Sequence, residues 1–277
     1  MSIVWFDQRA GCDEIGGKGL RLCRLAQAGL PVPNGFCISV SGMESMKLQD
    51  IESALNRLGA TSVAVRSSAV EEDGIAASFA GVYLTRLNIA SPSDVADALV
   101  EIRNSASSPA AAAYRRKRGL SGRPRMAAIV QTFLSPDASG VLFMKDPIDG
   151  ARRIVVEGAW GLGEAVVSGR VTPDRWVLSQ QGDVISSTIA TKDIAIVPHK
   201  IGIREVGLDP LRRTLPCLSS SALRELCKLA ACCGNLFGVP QDIEWASASG
   251  AMWLLQSRPI TAFASHGELT NARRPPR

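Results

Sequence analysis

Apolar residues recur at helical spacing in several parts of the chain, and residues that start or stop helices bound each stretch. The clearest stripe follows Ser219–Ser221 and stops at Gly238 and Pro240, residue types that commonly end helices. The full set predicts helices after the glycines at 16–19, around 48–59, from Ser91 or Ser93 through VADALVEIRN, in the alanine-rich stretch that follows, and from Ser219–Ser221 to Gly238.

Short β-branched and apolar runs, separated by Gly, Pro and Asp, dominate the chain after residue 125. They predict strands in FCISV (36–40), Val63–Val65, MAAIVQTFL, GVLFM, RRIVVEGA, RWVLSQ, DIEWA and MWLLQ. QGDVIS is typical of a hairpin turn, and Ser247–Gly250 is predicted to join the last two strands. The pattern as a whole predicts a protein of mixed helices and strands, in the α+β class.

Composition is that of an ordinary globular protein. With 277 residues, 46% of them hydrophobic and 21% charged, the chain can bury a core without disulfides or a structural metal. Lys and Arg number 31 against 26 Asp and Glu, and the resulting net charge of +5 is too small to indicate nucleic-acid binding. The dense basic run Arg115–Arg118 lacks interleaved aromatic residues, so we expect a solvated helix end there.

Cysteine usage and the start of the chain bear on its compartment. The seven cysteines include no C-x-x-C pair and no zinc-type spacing with histidine, so we expect small core residues. The first residues do not form a secretory leader, and no apolar run approaches the ~18 residues needed to span a bilayer. We therefore expect a reducing, cytoplasmic location.

Gly16–Gly19 is the first candidate for phosphate chemistry. The run Gly-Gly-Lys-Gly lacks the spaced glycine and the hydroxyl of a Walker A loop, and it fails the dinucleotide-binding fingerprint as well. One interpretation is a helix entry with a surface lysine. The other is a backbone that approaches phosphate closely at a helix N-terminus, with Lys18 supplying a positive charge.

Arg66 is unusual because it ends an apolar strand, where an unpaired guanidinium would be costly. Either a partner carboxylate neutralises it or it points into a cleft to meet a bound anion. Downstream, Ser78–Gly81 is a small-residue turn that can present backbone amides to phosphate. Glu157 and Glu164 flank a glycine turn after a strand, either as a solvated loop or as part of a site.

The last two predicted strands carry four polar side chains in an alternating pattern. Asp242 and Glu244 share one face of a strand, as do Gln256 and Arg258 on the next. If the strands pair, these groups converge on one sheet face, where oxygen ligands suit Mg²⁺ and a guanidinium suits a negative transferring group. The alternative is an ordinary cross-strand salt bridge.

Six stretches together resemble the nucleotide-binding part of the dikinase family: phosphoenolpyruvate synthase, pyruvate phosphate dikinase and rifampicin phosphotransferase. They are GGKGLRLCRLAQAGLPVPNGF, VAVRSSAVEEDGIAASFAG, VQTFLSPDASGVLFMKDP, VEGAWGLGEAVVSGRVTPD, GVPQDIEWA and WLLQSRPIT, in the family's order from residue 16 to 261. The resemblance implies an ATP-grasp fold with ATP in a cleft between lobes. It implies one multi-lobed nucleotide-binding domain over residues 1–263 and a flexible tail at 264–277.

The resemblance also implies the role of each candidate residue. Lys18, Arg66 and Arg258 would act on the phosphates, the turn from Ser78 to Gly81 would cover them, and Gln131, Thr132, Phe133 and Leu134 would form the adenine hinge. Glu157, Glu164 and Asp242 would complete the nucleotide site. Glu244 and Gln256, together with Asp242, would hold magnesium. These assignments rest on the family pattern, and phosphoryl transfer needs little beyond such positioning and charge neutralisation.

Two departures from the family pattern limit what the chain is expected to do alone. The segment between Phe36 and Val63 is shorter than in relatives, and neither His199 nor His266 lies in a phosphohistidine signature. We therefore expect an ATP-dependent phosphotransferase that passes its phosphoryl group to a small molecule or to a histidine on a separate protein. An ATP-grasp ligase that forms an acyl phosphate, a nucleotide sensor and a fragment of a longer dikinase are the alternatives.

Overall fold

The computed structural model describes residues 2–71, 84–117, 119, 122 and 124–260. The turn Ser78–Gly81, the tail at 264–277 and His266 therefore lie outside the described residues. Helices of the described residues are α1 (Cys12–Gln27), α2 (Gly42–Ser45), α3 (Leu48–Leu58), α4 (Pro92–Ser105), α5 (Pro109–Lys117), α6 (Glu164–Val167), α7 (Pro210–Arg213) and α8 (Ser220–Phe237). Among them, no helix is long and apolar enough to cross a membrane.

Strands and helices are mixed in the first half, whereas strands predominate in the second, where α6, α7 and α8 separate some of them. They are β1 (Ile3–Trp5), β2 (Gly35–Ile38), β3 (Val63–Ala69), β4 (Thr85–Ile89), β5 (Met126–Thr132), β6 (Ala138–Phe143), β7 (Ile154–Trp160), β8 (Asp174–Leu178), β9 (Val184–Thr188), β10 (Ile194–Pro198), β11 (Ile203–Gly207), β12 (Gln241–Ala248) and β13 (Ala251–Pro259). The predicted α+β class is confirmed, because the pairings between these strands are antiparallel.

A five-stranded sheet in the order β1-β2-β5-β3-β4 forms the first lobe. On one of its faces Val65 and Val130 pack with Ile51 of α3 and Ile102 of α4. The other face turns Cys37 and Ile129 towards α1. Alternation of side chains along the strands produces this two-sided burial, so the sheet lies between one helical layer and α1.

A six-stranded sheet in the order β13-β12-β6-β7-β8-β9 forms the second lobe. Its inner face contributes Trp245 and Leu254 to a core that also contains Leu226 of α8 and Leu22 of α1. Since α1 packs against both sheets, it joins the two lobes. Strands β10 and β11 form a separate two-stranded sheet.

The predicted helix boundaries follow from capping. Ser91 accepts a hydrogen bond from the backbone N–H of Asp94 at 3.1 Å, and Ser219 accepts one from Ala222 at 3.2 Å. Gly238 ends α8 in the left-handed conformation at a φ of 75°. These contacts confirm Ser91 rather than Ser93 as the cap of α4, and both ends of α8.

The structure corrects three details of the sequence analysis. The last hairpin turn is only Ser249–Gly250, both at positive φ, because Ser247 and Ala248 still pair in β12. Arg115 is not solvated: it is 5% exposed and lies 3.2 Å from the Glu71 carboxylate. Cys232 is exposed rather than a core residue, Cys12 is half-buried, and Cys23, Cys37, Cys217, Cys227 and Cys233 are buried as predicted.

Candidate functional site

A cleft lies where the two sheets approach each other, and it contains many of the predicted site residues. Side chains from β3 and β4 form one wall, while β6, β12 and β13 with the loop before α6 form the other. Of the predicted residues, the cleft brings together Arg66, Gln131, Thr132, Phe133, Leu134, Glu164 and Glu244. Leu87, Leu162, Val167 and Leu255 also line it, and the sequence analysis did not single them out.

Arg66 reaches from the first sheet across to the second. It stands opposite Ile129 and Thr85 in its own sheet, and its side chain is 14% exposed. One guanidinium nitrogen donates to the Leu255 carbonyl at 3.2 Å, and another lies 3.6 Å from Oε2 of Glu244. The structure thus supplies the partner carboxylate that the sequence could not identify, and places the pair at the cleft.

The β12–β13 hairpin confirms that the four alternating polar side chains share a face. Glu244 stands opposite Gln256, and Asp242 stands opposite Arg258. The intervening residue Ile243 packs into the core on the other side of the sheet. Carboxylate and amide oxygens are therefore presented together on the face that leads into the cleft.

Asp242 and Arg258 realise the alternative of a cross-strand salt bridge. Nε and Nη2 of Arg258 both lie 2.7 Å from Oδ2 of Asp242. Burial raises the pKa of Asp242, and the charge and hydrogen bond of Arg258 offset only part of the rise. Asp242 is therefore engaged by Arg258, two register pairs along the hairpin from Glu244 and Gln256.

Three charged groups influence one another inside the cleft. Burial is the main cause that raises the pKa of Glu164, the positive charge of Arg66 opposes the rise, and the negative charge of Glu244 adds to it. Two carboxylates thus flank one guanidinium, an arrangement that favours a bound cation or a further positive group.

A break in α1 places Lys18 at a helix start beside β3. Gly16 has a φ of 72° inside the helix, and a Cβ there would lie 2.3 Å from the Ser68 carbonyl oxygen, so a glycine is required. Ser68 fixes the break because its hydroxyl donates to the Ile15 carbonyl and accepts from Gly19 N–H. Helix α1 therefore begins at Cys12, before the predicted entry at the glycines, and restarts after Gly16, where Lys18 is half-buried.

The segment 131–134 crosses from the first sheet to the second and is firmly anchored. Gln131 is 2% exposed and donates to the Pro33 carbonyl at 3.2 Å. Thr132 N–H donates to Asn34, and Phe133 N–H to Ser62. These bonds hold the floor of the cleft in one position, beside apolar walls suited to a flat ring.

Glu157 lies on the cleft-facing side of the second sheet but outside the cleft lining. Its register partner in β6 is Val141, which in turn stands opposite Glu244, so Glu157 is two strands away from Glu244. Its carboxylate lies 3.7 Å from Nε of Arg175. A role for Glu157 in nucleotide binding stays a prediction.

The fold and the cleft define an α+β protein with a cleft between two lobes that is lined by charged side chains. Residues 46–274 match the family model described as the pyruvate phosphate dikinase, AMP/ATP-binding domain. The chain belongs to this family.

Several curated proteins are similar over nearly the whole chain. The prodigiosin synthesizing transferase PigC of Serratia marcescens is 34% identical over 90% of the chain and 32% of its own length. A rifampicin phosphotransferase of Streptomyces sviceus is 33% identical (90% and 34%), and a probable phosphoenolpyruvate synthase of Methanothermobacter thermautotrophicus is 32% identical (98% and 48%). The chain therefore spans about a third to a half of the length of these relatives.

Solved structures show more distant likenesses. A dinucleotide-forming acetyl-coenzyme A synthetase of Ca. Korarchaeum cryptofilum, in complex with coenzyme A, Ca-AMPCP and HgCl⁺, covers 84% of this chain and 87% of its own, at 13% identity and a TM-score of 0.45. The ATP-grasp ligase PsnB, complexed with a minimal precursor, covers 88% and 52%, at 11% identity and a TM-score of 0.34.

Proposed function

We propose that this chain binds MgATP in the cleft between its two sheets and passes a phosphoryl group to an acceptor. The observation that carries the proposal is the meeting of Arg66 and Glu244, which come from different sheets and lie 3.6 Å apart at the cleft. Phosphoryl transfer requires positive charge on the phosphates and a carboxylate that can hold a divalent cation. Membership of an AMP/ATP-binding family supports the same ligand.

The adenine ring would lie against segment 131–134. Phe133 and Leu134 line the cleft beside Leu87 and Leu162, and the backbone bonds of residues 132 and 133 keep this wall fixed. Apolar walls next to a backbone segment that is held by hydrogen bonds favour a planar aromatic ligand and exclude water from it. The phosphates would then extend towards Arg66.

Positive charge for the phosphates would come from three residues. Arg66 is held in the cleft by the Leu255 carbonyl, so its guanidinium is already oriented. Lys18 starts the restarted half of α1, where a helix N-terminus adds favourable dipole interaction with an anion. Arg258 would steady the migrating group from β13. The turn Ser78–Gly81, which would cover the phosphates, lies outside the residues that the structure describes.

The residues of the β12–β13 hairpin fit magnesium. Within the described ranges no group of three or more His, Cys, Asp or Glu side chains converges as a metal cage. Mg²⁺ needs no such cage, since it is commonly held by one or two carboxylates together with substrate phosphates. Glu244 and Gln256 stand opposite each other and would hold the ion, which supplies neutralisation of phosphate charge when bound.

The acceptor is proposed to be a small molecule or a histidine on a separate protein. Among described residues, His199 lies in the turn between β10 and β11, and its carbonyl accepts a hydrogen bond from Asn88. That setting does not provide a carrier histidine on a mobile element. The relatives named rifampicin phosphotransferase and probable phosphoenolpyruvate synthase favour small organic acceptors. A cytoplasmic location, where ATP is available, belongs to the same proposal.

Two measurements test the proposal. Calorimetric titration with ATP, with and without Mg²⁺, should show saturable binding that magnesium strengthens. Incubation with ATP and either pyruvate or rifampicin, followed by nucleotide separation, should give AMP for dikinase chemistry or ADP for simple kinase or ligase chemistry. The absence of MgATP binding at millimolar nucleotide would overturn the proposal. Binding without turnover, with a separate carrier protein also supplied, would reduce the chain to a nucleotide sensor.

A further inference from the structure

The β10–β11 hairpin contacts both walls of the cleft, although none of the predicted site residues lies on it. Its strands pair from Ile194↔Gly207 to Pro198↔Ile203, and the turn 199–202 closes with a hydrogen bond from His199 N–H to the Gly202 carbonyl. The hairpin is a sheet of its own rather than an extension of either lobe. What it joins therefore depends on its contacts with the two lobes.

The middle of β10 is hydrogen-bonded to the loop that precedes Glu164. Leu162 N–H donates to the Ile196 carbonyl at 2.8 Å, next to a parallel bridge between Gly161 and Ile196. The approach is so close that a Cβ on Gly161 would lie 2.3 Å from that carbonyl oxygen. Ile196 is 4% exposed and packs with Leu162, so the middle of β10 is fixed to the second-lobe wall of the cleft.

The tip of the hairpin is bonded to Asn88 of β4, in the first lobe. The Asn88 side-chain amide donates to the carbonyls of His199 at 2.5 Å and Gly202 at 2.9 Å, and Gly202 N–H donates to the Asn88 carbonyl at 3.2 Å. Asn88 has a φ of 56°, a conformation that asparagine tolerates better than most residues. One residue thus makes three bonds to the turn.

The left-handed conformation of Asn88 also shapes the cleft itself. Strand β4 is irregular here, because Ile89 stands opposite Val63 while Arg86 stands opposite Val65. The extra residue lets Leu87 line the cleft beside Ala64 while Asn88 meets the hairpin. Leu87 and residues Leu162–Glu164 lie on opposite walls of the same cleft, and the hairpin is hydrogen-bonded to both walls.

We infer that the β10–β11 hairpin is a strap that fixes the distance between the two cleft walls, and that Asn88 is the positioning residue that anchors it. The strap acts through the wall at Leu87 and the loop at Leu162–Glu164 and contacts no nucleotide. Its effect on affinity rests on the proposed function. The effect of Asn88 on the conformational order of residues 161–165 does not rest on the proposed function.

The test compares Asn88→Asp, Asn88→Gly and Asn56→Asp by hydrogen–deuterium exchange without nucleotide. Asn88→Asp keeps the shape and the backbone tolerance but sets carboxylate oxygens against two carbonyls, and Asn88→Gly keeps the backbone tolerance alone. Asn56→Asp makes the same chemical change on an exposed position of α3. We expect faster exchange in 199–203 and also in 161–165 for Asn88→Asp, a smaller increase for Asn88→Gly, and none for Asn56→Asp.

Affinity for MgATP is the second readout. Loosening the strap should weaken MgATP binding by about three- to tenfold in Asn88→Asp. The affinity and the thermal midpoint of Asn56→Asp are the reference values for the same measurements on Asn88→Asp. Unchanged exchange in 161–165 would overturn the strap, whatever happens at the tip. Faster exchange in both segments with unaltered affinity would overturn its positioning role. A parent protein that does not bind MgATP would instead refute the proposed function, while the exchange experiment still decides the mechanical connection.

Discussion

Two ion pairs, one sealed in the interior of the second lobe and one between the two lobes at the cleft, show how burial decides what a charge can do. Lys192 and Asp174 contact each other with both side chains fully buried. Arg66 and Glu244 lie 3.6 Å apart, with 14% and 34% of their side chains exposed. Both pairs join opposite charges, but their surroundings differ.

The buried pair is completed by the backbone. Asp174 accepts hydrogen bonds from the N–H groups of Ala190 and Cys217, at 3.0 and 2.8 Å, and Lys192 also donates to the Ala190 carbonyl at 2.9 Å. These bonds fix the start of β8 to the loops at 190 and 217. A pair so fully satisfied has no capacity for a ligand, and its role is to hold the lobe together.

The cleft pair is looser and reachable. One-third exposure of Glu244 leaves its carboxylate accessible to a cation, and the 3.6 Å separation is longer than a charge-assisted hydrogen bond. Removing a member of the buried pair should therefore cost stability, whereas removing a member of the cleft pair should cost ligand binding.

The largest effect is expected from Asp174→Asn. The substitution leaves the Lys192 ammonium buried without a counter-charge, so the free energy of unfolding should fall by about 3–5 kcal/mol. Urea denaturation followed by tryptophan fluorescence measures the loss. Combining it with Lys192→Met should cost less than the sum of the two single changes, because the pair is coupled.

Asp193→Asn is the matched control for the buried pair. Asp193 is adjacent to Lys192 in sequence and pairs with Arg213 at 3.1 Å, but its side chain is 69% exposed. An exposed pair contributes only about 0–1 kcal/mol. If Asp174→Asn proved as mild as Asp193→Asn, burial would not be what separates the two regions.

Glu244→Gln should affect the reaction and spare the fold. Magnesium held by this carboxylate would neutralise charge that develops in transfer, so turnover should fall by about a thousandfold, or ~4 kcal/mol in barrier height. Affinity for ATP should change less, and the urea midpoint should stay within experimental error of the parent. Turnover within a few-fold of the parent at saturating Mg²⁺ would show that the 242–256 face is structural.

Arg66→Ala and Lys18→Ala should each weaken MgATP binding by about 1.5–3 kcal/mol, the cost of a charge-assisted hydrogen bond. Calorimetric titration measures the change, with Arg103→Ala on the exposed face of α4 as the control. Unchanged affinity in both cleft variants would remove the proposed phosphate site. A loss of folding in Arg66→Ala would mean that the cleft pair resembles the buried one.

Local chemistry made much of the fold predictable from the sequence. The caps Ser91 and Ser219 and the end at Gly238 act within a few residues, so their helices were found. Alternation along DIEWA and WLLQSR predicted the shared face of the last hairpin, which the register Glu244↔Gln256 confirms. The extent of its turn was wrong by two residues because strand pairing overrode turn composition at Ser247 and Ala248.

Contacts distant in sequence escaped prediction. Arg115 forms an ion pair with Glu71, and the Ser68 hydroxyl forms hydrogen bonds with Ile15 and Gly19. The tertiary fold brings these residues together, so the spacing of residues along the sequence does not predict the contacts. The hydroxyl of Ser68 was visible in the sequence, but its partners in α1 were not. For Arg66 itself, the sequence left a partner carboxylate and a bound anion equally open, and only the approach of the two sheets identified Glu244.

The smallest expected effect comes from Asp146, which is intermediate between the two pairs. Its carboxylate is 3% exposed, accepts from Ile148 N–H at 2.9 Å and from Arg153 Nε at 2.8 Å, but the Arg153 side chain is 38% exposed. Burial alone would raise the pKa of Asp146. The hydrogen bonds and the charges of Arg153 and Arg175 outweigh burial and hold this pKa below its ordinary value.

A lowered folded-state pKa of a carboxyl group stabilises the protein above the unfolded-state value, and this contribution disappears as the pH falls through the folded-state value. Asp146→Asn should therefore cost about 1–2 kcal/mol at pH 7 and progressively less below about pH 4. Urea denaturation at pH 7 and pH 3 measures the difference, with Asp149→Asn, whose side chain is 41% exposed, as the control. A difference from the parent that stayed constant or grew in acid would contradict the assignment, because the protonated carboxyl could no longer pair with Arg153.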